Sequence, residues 1–217
     1  ALSADGPANL WNAARLALSP KARGHGVLVT MNDEIFTAAT ATKRASYRRN
    51  AFTAERGGPA GFIAGETIRF FHPAAPGALS FALPKAPLPP VVILYGYAGD
   101  AGALVRAALH TGAKGIVYAG PGMGSLPVPV EKELLAARAK GVAVVRASRL
   151  TDGLVLSPGS PAPQNADTAA SPKEEAAFIA SGSLSPVKAR ILLQCALAQE
   201  TPLAALPQIF CQASSLS

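Results

Sequence analysis

The sequence predicts an α/β protein built in two parts. Three observations carry that class. Early in the chain, apolar residues fall on a helical period and are followed by a short apolar run and a hairpin pattern. Between His72 and Pro90 lie six prolines (Pro73, Pro76, Pro84, Pro87, Pro89 and Pro90), a density that prevents both helix and inner strand. Beyond them, short apolar runs alternate with helical patterns, the signature of parallel strands joined by right-handed crossovers. The expected organisation is a first part over 1–72, a linker over 73–90 and a second α/β domain over 91–217.

In the first part, Leu10, Trp11, Ala14, Leu16 and Leu18 mark a helix over residues 7–18, with Pro7 in its first turn and Ser19-Pro20 as its stop. The run from Gly26 to Met31 reads as a strand buried on both faces of a parallel sheet. Asn32 and Asp33 follow it. Ligands of open α/β sheets sit beyond the carboxyl ends of strands, so the polar stretch from Asn32 to Arg49 is a candidate source of site residues. Gly61-Phe62-Ile63 and Thr67 to Phe71, joined through Ala64-Gly65-Glu66, read as a β-hairpin. In the second part the expected order is strand 91–95, helix 100–111, strand 115–118, helix 130–140 and strand 142–146. A long surface loop is expected over 153–175, where Pro, Ser, Gly, Asn and Asp concentrate. Ser185-Pro186 then starts a helix to about residue 199, and a last helix covers roughly 202–213. No internal repeat is visible.

Composition narrows the function classes. Hydrophobic residues are 49% and charged residues 15% of 217, which excludes a disordered chain. No stretch reaches the ~20 apolar residues of a membrane span, so no membrane role is expected. The formal charge is +7, but Arg and Lys are scattered and lack interleaved aromatics that stack bases, so nucleic acid is not an expected partner. Lys43, Arg44, Arg48 and Arg49 form the densest basic cluster, read as a solvated loop in preference to a phosphate site. Cys195 and Cys211 lie in C-terminal helical patterns without metal-ligand spacing and read as buried free thiols in preference to a disulfide. The start, Ala-Leu-Ser-Ala-Asp-Gly-Pro, lacks the charged and apolar regions of a signal peptide and reads as a truncation.

Motifs with chemistry are few. Gly120-Pro121-Gly122-Met123-Gly124-Ser125 follows a strand but has the wrong glycine spacing for a dinucleotide loop. Pro121 removes an amide donor, and Val144 to Arg146 stand where an acid belongs. Either a ligand-facing turn or a plain strand-to-helix connection remains. His25, His72 and His110 have no neighbours at metal spacing, so no metal is expected. Asp33-Glu34 and Glu174-Glu175 are adjacent pairs that would point to opposite faces if extended, and no G-x-S-x-G elbow occurs. Lys43 is the ionisable group of the first part best suited to chemistry. It follows Thr40, Ala41 and Thr42 among few acids, and a lysine buried near other cations becomes a proton acceptor. The alternative is a surface lysine in the basic loop.

Several pieces, taken in order, resemble bacterial type II L-asparaginases and glutaminase-asparaginases. They are Ser3 to Pro7, Asn9-Leu10 and Asn12-Ala13; Gly26 to Val29; Met31 to Ile35; Thr42-Lys43; Phe52; and Gly58-Pro59 with Gly61. Ala113 to Val117, Gly120, Gly122 and Gly124, Val144 to Arg146 with Ser148-Arg149, Phe178 to Gly182 and Lys188 to Arg190 continue the match. The resemblance implies the end of a larger N-terminal α/β domain followed by a smaller C-terminal α/β domain with a parallel sheet. It implies hydrolysis of the side-chain amide of L-asparagine, and also of L-glutamine, through a threonine acyl-enzyme, with no cofactor. By resemblance Lys43 is the lysine of the family's Thr-Asp-Lys proton-transfer set. The resemblance also implies that Ser125 ends a loop reaching the neighbouring subunit's substrate, in a homotetramer built as a dimer of dimers. Several relatives have Asn where Ser125 stands, and serine implies looser exclusion of glutamine.

The sequence also departs from the family. Neither T-G-G-T-I nor G-T-D-T occurs, so the threonines and aspartate of the pattern are missing and the chain alone is expected to be inactive. Ala39-Thr40 replaces a common Arg-Asp before the lysine, and the loop that should bring an acid offers Ser160, with Glu174 and Glu175 as substitutes only if it folds differently. A non-catalytic amino-acid-binding protein on the same fold, or a related glutamine amidase, are the alternatives. The resemblance fits a periplasmic or a cytoplasmic protein, the periplasm being favoured.

Overall fold

The computed structural model describes residues 4–54, 56–74, 79–84, 86–157 and 177–214. The chain divides into two compact units, residues 1–78 and 79–215, with the terminal pair 216–217 grouped with the first. In the first unit, helix α1 (Gly6–Leu18) is followed by a 3-10 turn at Pro20–Ala22. Pro7 sits in the first turn of α1, where its missing N–H is no loss.

Strands β1 (Leu28–Met31), β2 (Glu34–Thr37), β5 (Gly61–Ala64) and β6 (Thr67–Phe70) form one antiparallel sheet in the order β1-β2-β5-β6. Strands β3 (Ala41–Lys43) and β4 (Phe52–Ala54) form a separate two-stranded ribbon. The run ending at Met31 is therefore not an inner parallel strand. It is an edge strand, only half-buried at all four positions, and pairs antiparallel with β2 in the register Leu28↔Thr37 to Met31↔Glu34. The cause is local. Asn32 and Asp33 take φ 54° and 63°, the left-handed pair that closes a two-residue hairpin and turns the chain back on itself. The side chains that make this turn also tie it down, since Asn12 donates to Asp33 Oδ1 at 2.8 Å and Asn9 Oδ1 accepts the Asn32 amide at 3.0 Å. The expected hairpin of β5 and β6 is present, in the register Gly61↔Phe70 to Ala64↔Thr67.

The core of this unit is small: Leu16 from α1 meets Ile35, Ile63 and Ile68 from the sheet, with Leu28 and Phe70 packed against them. Leu10, Trp11 and Leu18 on α1 remain exposed.

In the second unit, β7 (Val91–Tyr95), β8 (Gly115–Gly120), β9 (Ala143–Ser148) and β10 (Ile179–Ala180) form a parallel sheet ordered β10-β9-β8-β7. Helices α2 (Ala103–His110) and α3 (Val128–Ala139) cover one face. Helices α4 (Pro186–Ala198) and α5 (Leu206–Ser214) cover the other. The strand period of two sorts the side chains between these faces. Ile116, Tyr118 and Val144 pack under α2 and α3, whereas Val117, Ala143, Val145 and Ala147 pack under α4 and α5. All six residues of β8 and all six of β9 are buried, as a sheet covered on both sides requires.

The cysteines differ from expectation. Both are free, but Cys195 is half-buried and Cys211 exposed. Helix α5 spends its core-facing positions on Leu206 and Phe210, and Cys211, one residue on, is turned about 100° away. Most of the surface loop expected over 153–175 lies outside the described residues, with Ser160, Glu174 and Glu175. Within its described start, Val155 bridges to Gly182.

Candidate active site

Lys43 is the last residue of β3, opposite Phe52 of β4, and it is exposed. Its ammonium has no hydrogen-bond or ion-pair partner among the described residues. The turn that precedes the ribbon is held by Thr37 and Thr40, whose hydroxyls meet at 2.9 Å while the Thr40 amide donates to the Thr37 carbonyl at 3.1 Å. After Lys43, the amides of Arg44 and Ala45 both donate to the carbonyl of buried Ala51, at 2.8 and 3.3 Å. Lys43 thus stands on a short ribbon pinned at both ends, and not in a solvated loop. Arg44, Arg48 and Arg49 are exposed, and Arg48 donates to the Tyr47 hydroxyl at 3.2 Å.

Ser125 belongs to the second unit, at the carboxyl edge of the parallel sheet, where the chain leaves β7, β8, β9 and β10. Pro121 accepts the amides of Gly124 at 3.0 Å and Ser125 at 2.9 Å, which closes a tight turn. Those amides are spent inside the turn, in keeping with rejection of a dinucleotide loop. Gly124 has φ 80°, and at Gly120 a Cβ would overlap the Ser125 carbonyl, so both positions require glycine. Ser148, at the end of β9, donates its hydroxyl to the Gly122 carbonyl at 2.6 Å and accepts the Leu150 amide at 3.1 Å. The Ser125 side chain is exposed and has no polar partner among the described residues.

Beside this turn lies a buried polar pair that the sequence reading did not single out. Tyr118, 1% exposed, donates its hydroxyl to Asp100 Oδ2 at 3.0 Å, and Asp100 Oδ1 accepts the Gly102 amide at 2.9 Å. Burial, then the hydrogen bond to Asp100 and its negative charge, push the Tyr118 phenol well above its ordinary range. Gly96 must lack a side chain here, because a Cβ would come within 2.7 Å of the Tyr118 hydroxyl. Arg149 closes the edge by donating to the Gly96 carbonyl at 2.9 Å. The pair spans 18 residues, a separation that no local pattern signals.

Lys43 and Ser125 therefore stand on different units, Lys43 at the end of β3 and Ser125 in the turn that follows β8. Among the described residues no group of three or more His, Cys, Asp or Glu is placed to hold a metal ion. His25 stacks on Phe70, with ring centroids 3.9 Å apart, and His72 and His110 are exposed.

Comparison with known proteins matches both units. Residues 1–76 fit the family model described as asparaginase, N-terminal, and residues 90–210 fit the glutaminase/asparaginase C-terminal domain. L-asparaginase 2 of Bacillus subtilis (strain 168) is 41% identical over 201 residues, covering 91% of this chain and 50% of the relative. A glutaminase-asparaginase of Pseudomonas aeruginosa is 34% identical over 214 residues, covering 97% of this chain and 56% of the relative. The crystal structure of a probable cytoplasmic L-asparaginase from Campylobacter jejuni superposes with a TM-score of 0.82 at 33% identity, covering 97% of this chain and 67% of that one. The chain thus spans about half the length of the curated relatives it matches.

Proposed function

The chain belongs to the glutaminase/asparaginase family, and on that premise we propose that it is part of an amidohydrolase that converts L-asparagine, and also L-glutamine, to the acid and ammonia. The observation that carries this reading is the match of both units, in order, to the family's two domains. In this reading the chain covers part of the N-terminal domain and the C-terminal domain, and the proposed activity requires a nucleophilic threonine that these 217 residues do not supply. Exposed Leu10, Trp11 and Leu18 on α1 and the unpaired side of β1 fit a unit that more polypeptide covers.

In that polypeptide the threonine hydroxyl adds to the amide carbon. The amide nitrogen leaves as ammonia once it has gained a proton, and water then hydrolyses the ester. A hydroxyl is a weak nucleophile and an amide nitrogen a poor leaving group, so a proton must be taken from one and given to the other. Lys43 is proposed as the relay. Its support is its family position after Thr42, on a pinned ribbon where its ammonium is exposed and has no partner among the described residues. Ser125 is proposed to reach the substrate bound by a neighbouring subunit in a homotetramer, supported by its exposure at the tip of a rigid glycine turn. Among the described residues no helix is long and apolar enough to cross a membrane, and both periplasm and cytoplasm accommodate such an enzyme.

The test is ammonia release by a polypeptide that joins this chain to the rest of a family N-terminal domain. Release from L-asparagine is expected, and Ser125→Asn is expected to lower turnover of glutamine relative to asparagine. Tight calorimetric binding of aspartate or glutamine without any ammonia would instead favour a binding protein on this fold. That rival draws on Ala39-Thr40, which replace the charge pair common before the family lysine.

A further inference from the structure

The turn that presents Ser125 is held by a second serine on a neighbouring strand. Ser148, the last residue of β9, is only 4% exposed, and its hydroxyl donates to the Gly122 carbonyl at 2.6 Å. The same oxygen accepts the Leu150 amide at 3.1 Å. A hydroxyl has one proton to give and lone pairs to receive, so one side chain ties two loops together at the carboxyl edge of the sheet.

Each part of the turn has its own tether. The root is fixed by the ladder, where Gly120 pairs with Ser148 and its carbonyl accepts the Arg149 amide at 2.9 Å. The end is closed internally, by the Gly124 and Ser125 amides on the Pro121 carbonyl. The middle is tied to β9 by the Ser148 hydroxyl. Space around that hydroxyl is exact. A Cβ at Gly153 would overlap both the Cβ and the Oγ of Ser148, so the chain closes over the side chain and leaves it one direction. On the turn, a Cβ at Gly124 would stand 3.0 Å from the Ala147 carbonyl oxygen, so this segment lies directly on the β9 backbone.

We propose that Ser148 is a positioning residue for substrate binding: through the Gly122 carbonyl it fixes the turn from Pro121 to Ser125, and with it the place of the Ser125 hydroxyl. The inference rests on the proposed role of Ser125 in reaching substrate. A binding side chain on a turn free to move must be ordered each time a ligand arrives, which weakens binding without altering the chemical step. The effect therefore belongs in KM and not in kcat.

The experiment has two arms. In the 217-residue chain, Ser148→Ala is expected to speed amide hydrogen exchange of Gly124 and Ser125 at least ~5-fold, as loss of a local hydrogen bond implies, with β8 amides unchanged within ~2-fold. In the polypeptide that includes the rest of the N-terminal domain, Ser148→Ala should raise KM for L-asparagine ~3-fold or more and keep kcat within ~2-fold. Ser125→Ala should raise KM at least as much. The double variant should stay within ~2-fold of Ser125→Ala, because positioning has no effect once the positioned side chain is gone. Leu193→Ala supplies the structural control: Leu193 of α4 packs near Gly115, at the opposite end of β8. It should lower Tm as far as Ser148→Ala or further, yet leave KM within ~2-fold. Should Ser148→Ala fail to fold, Ser148→Cys carries the test, its weakly donating thiol raising KM ~2-fold or more. Unchanged exchange, an unchanged KM in Ser148→Ala beside a raised one in Ser125→Ala, multiplying effects in the double variant, or an equal rise in Leu193→Ala would overturn the inference. Ser125→Ala without a rise in KM would instead remove the role proposed for Ser125, and no ammonia from the unsubstituted polypeptide would remove amide hydrolysis; the inference falls with either.

Discussion

At the scale of single residues, the contact between Tyr118 and Asp100 shows how a buried polar pair contributes to stability. Tyr118→Phe removes the hydroxyl and leaves a buried carboxylate oxygen without its 3.0 Å donor. A loss of about 1 to 3 kcal/mol is expected in denaturant unfolding, the cost of leaving such a group unsatisfied. The same pair sets a pH limit. In the unfolded chain the phenol ionises near its ordinary ~10, whereas the folded protein holds the proton because burial and Asp100 disfavour the anion. The unfolded state then binds fewer protons above that pH, so stability is complete below about pH 10 and falls as pH rises past it. Tyr118→Phe should flatten that alkaline limb in melts collected across the range. Glycine positions are equally exacting. Gly120→Ala would drive a methyl group into the Ser125 carbonyl and displace the turn from Pro121 to Ser125, visible as new amide shifts confined to that turn and the neighbouring Ser148 contact.

At the scale of elements, two helices of similar length do different work. Helix α3 buries Val130, Leu134 and Ala137 completely, and Leu134→Ala should cost ~2 to 5 kcal/mol in chemical unfolding, the range for emptying a packed leucine site. Helix α1 leaves Leu10 73% exposed, and Leu10→Ala in this chain should change stability by less than ~0.5 kcal/mol. Most elements of the second unit were legible for the same physical reason. Strands β8 and β9 are covered on both faces and read as unbroken apolar runs, and the helices carry one buried stripe each. The two-residue β10 is too short to show a pattern and was missed. The first unit was harder. Strands β2, β3 and β4 have three or four residues with half-polar content, too short for alternation to stand out. Strand β1 was misread because a half-buried edge strand and a doubly buried one share the same apolar letters. The deciding signal was Asn32-Asp33, a left-handed pair whose hairpin meaning outweighs the run before it.

For the whole molecule, two units with separate cores carry one candidate residue each, Lys43 at the end of β3 and Ser125 in the turn after β8. Chemistry alone singled out Lys43 as a candidate but assigned a role to neither residue. Composition left Lys43 open between a proton acceptor and a surface lysine, and Ser125 between a ligand-facing turn and a plain connection. Their roles came from the ordered spacing of short motifs. The Tyr118–Asp100 pair was invisible because it depends on a crossover that brings the β7 loop over β8. The family assignment rests on matches to both units, while the proposed chemistry rests on Lys43 relaying a proton for a hydroxyl supplied by further polypeptide. The most direct test is the turnover of Lys43→Met in a polypeptide that includes the rest of the N-terminal domain. Ammonia release from L-asparagine should fall at least ~100-fold, the scale of lost proton-transfer catalysis, with the fold intact by thermal melt. Turnover equal to that of the unsubstituted enzyme would contradict the account.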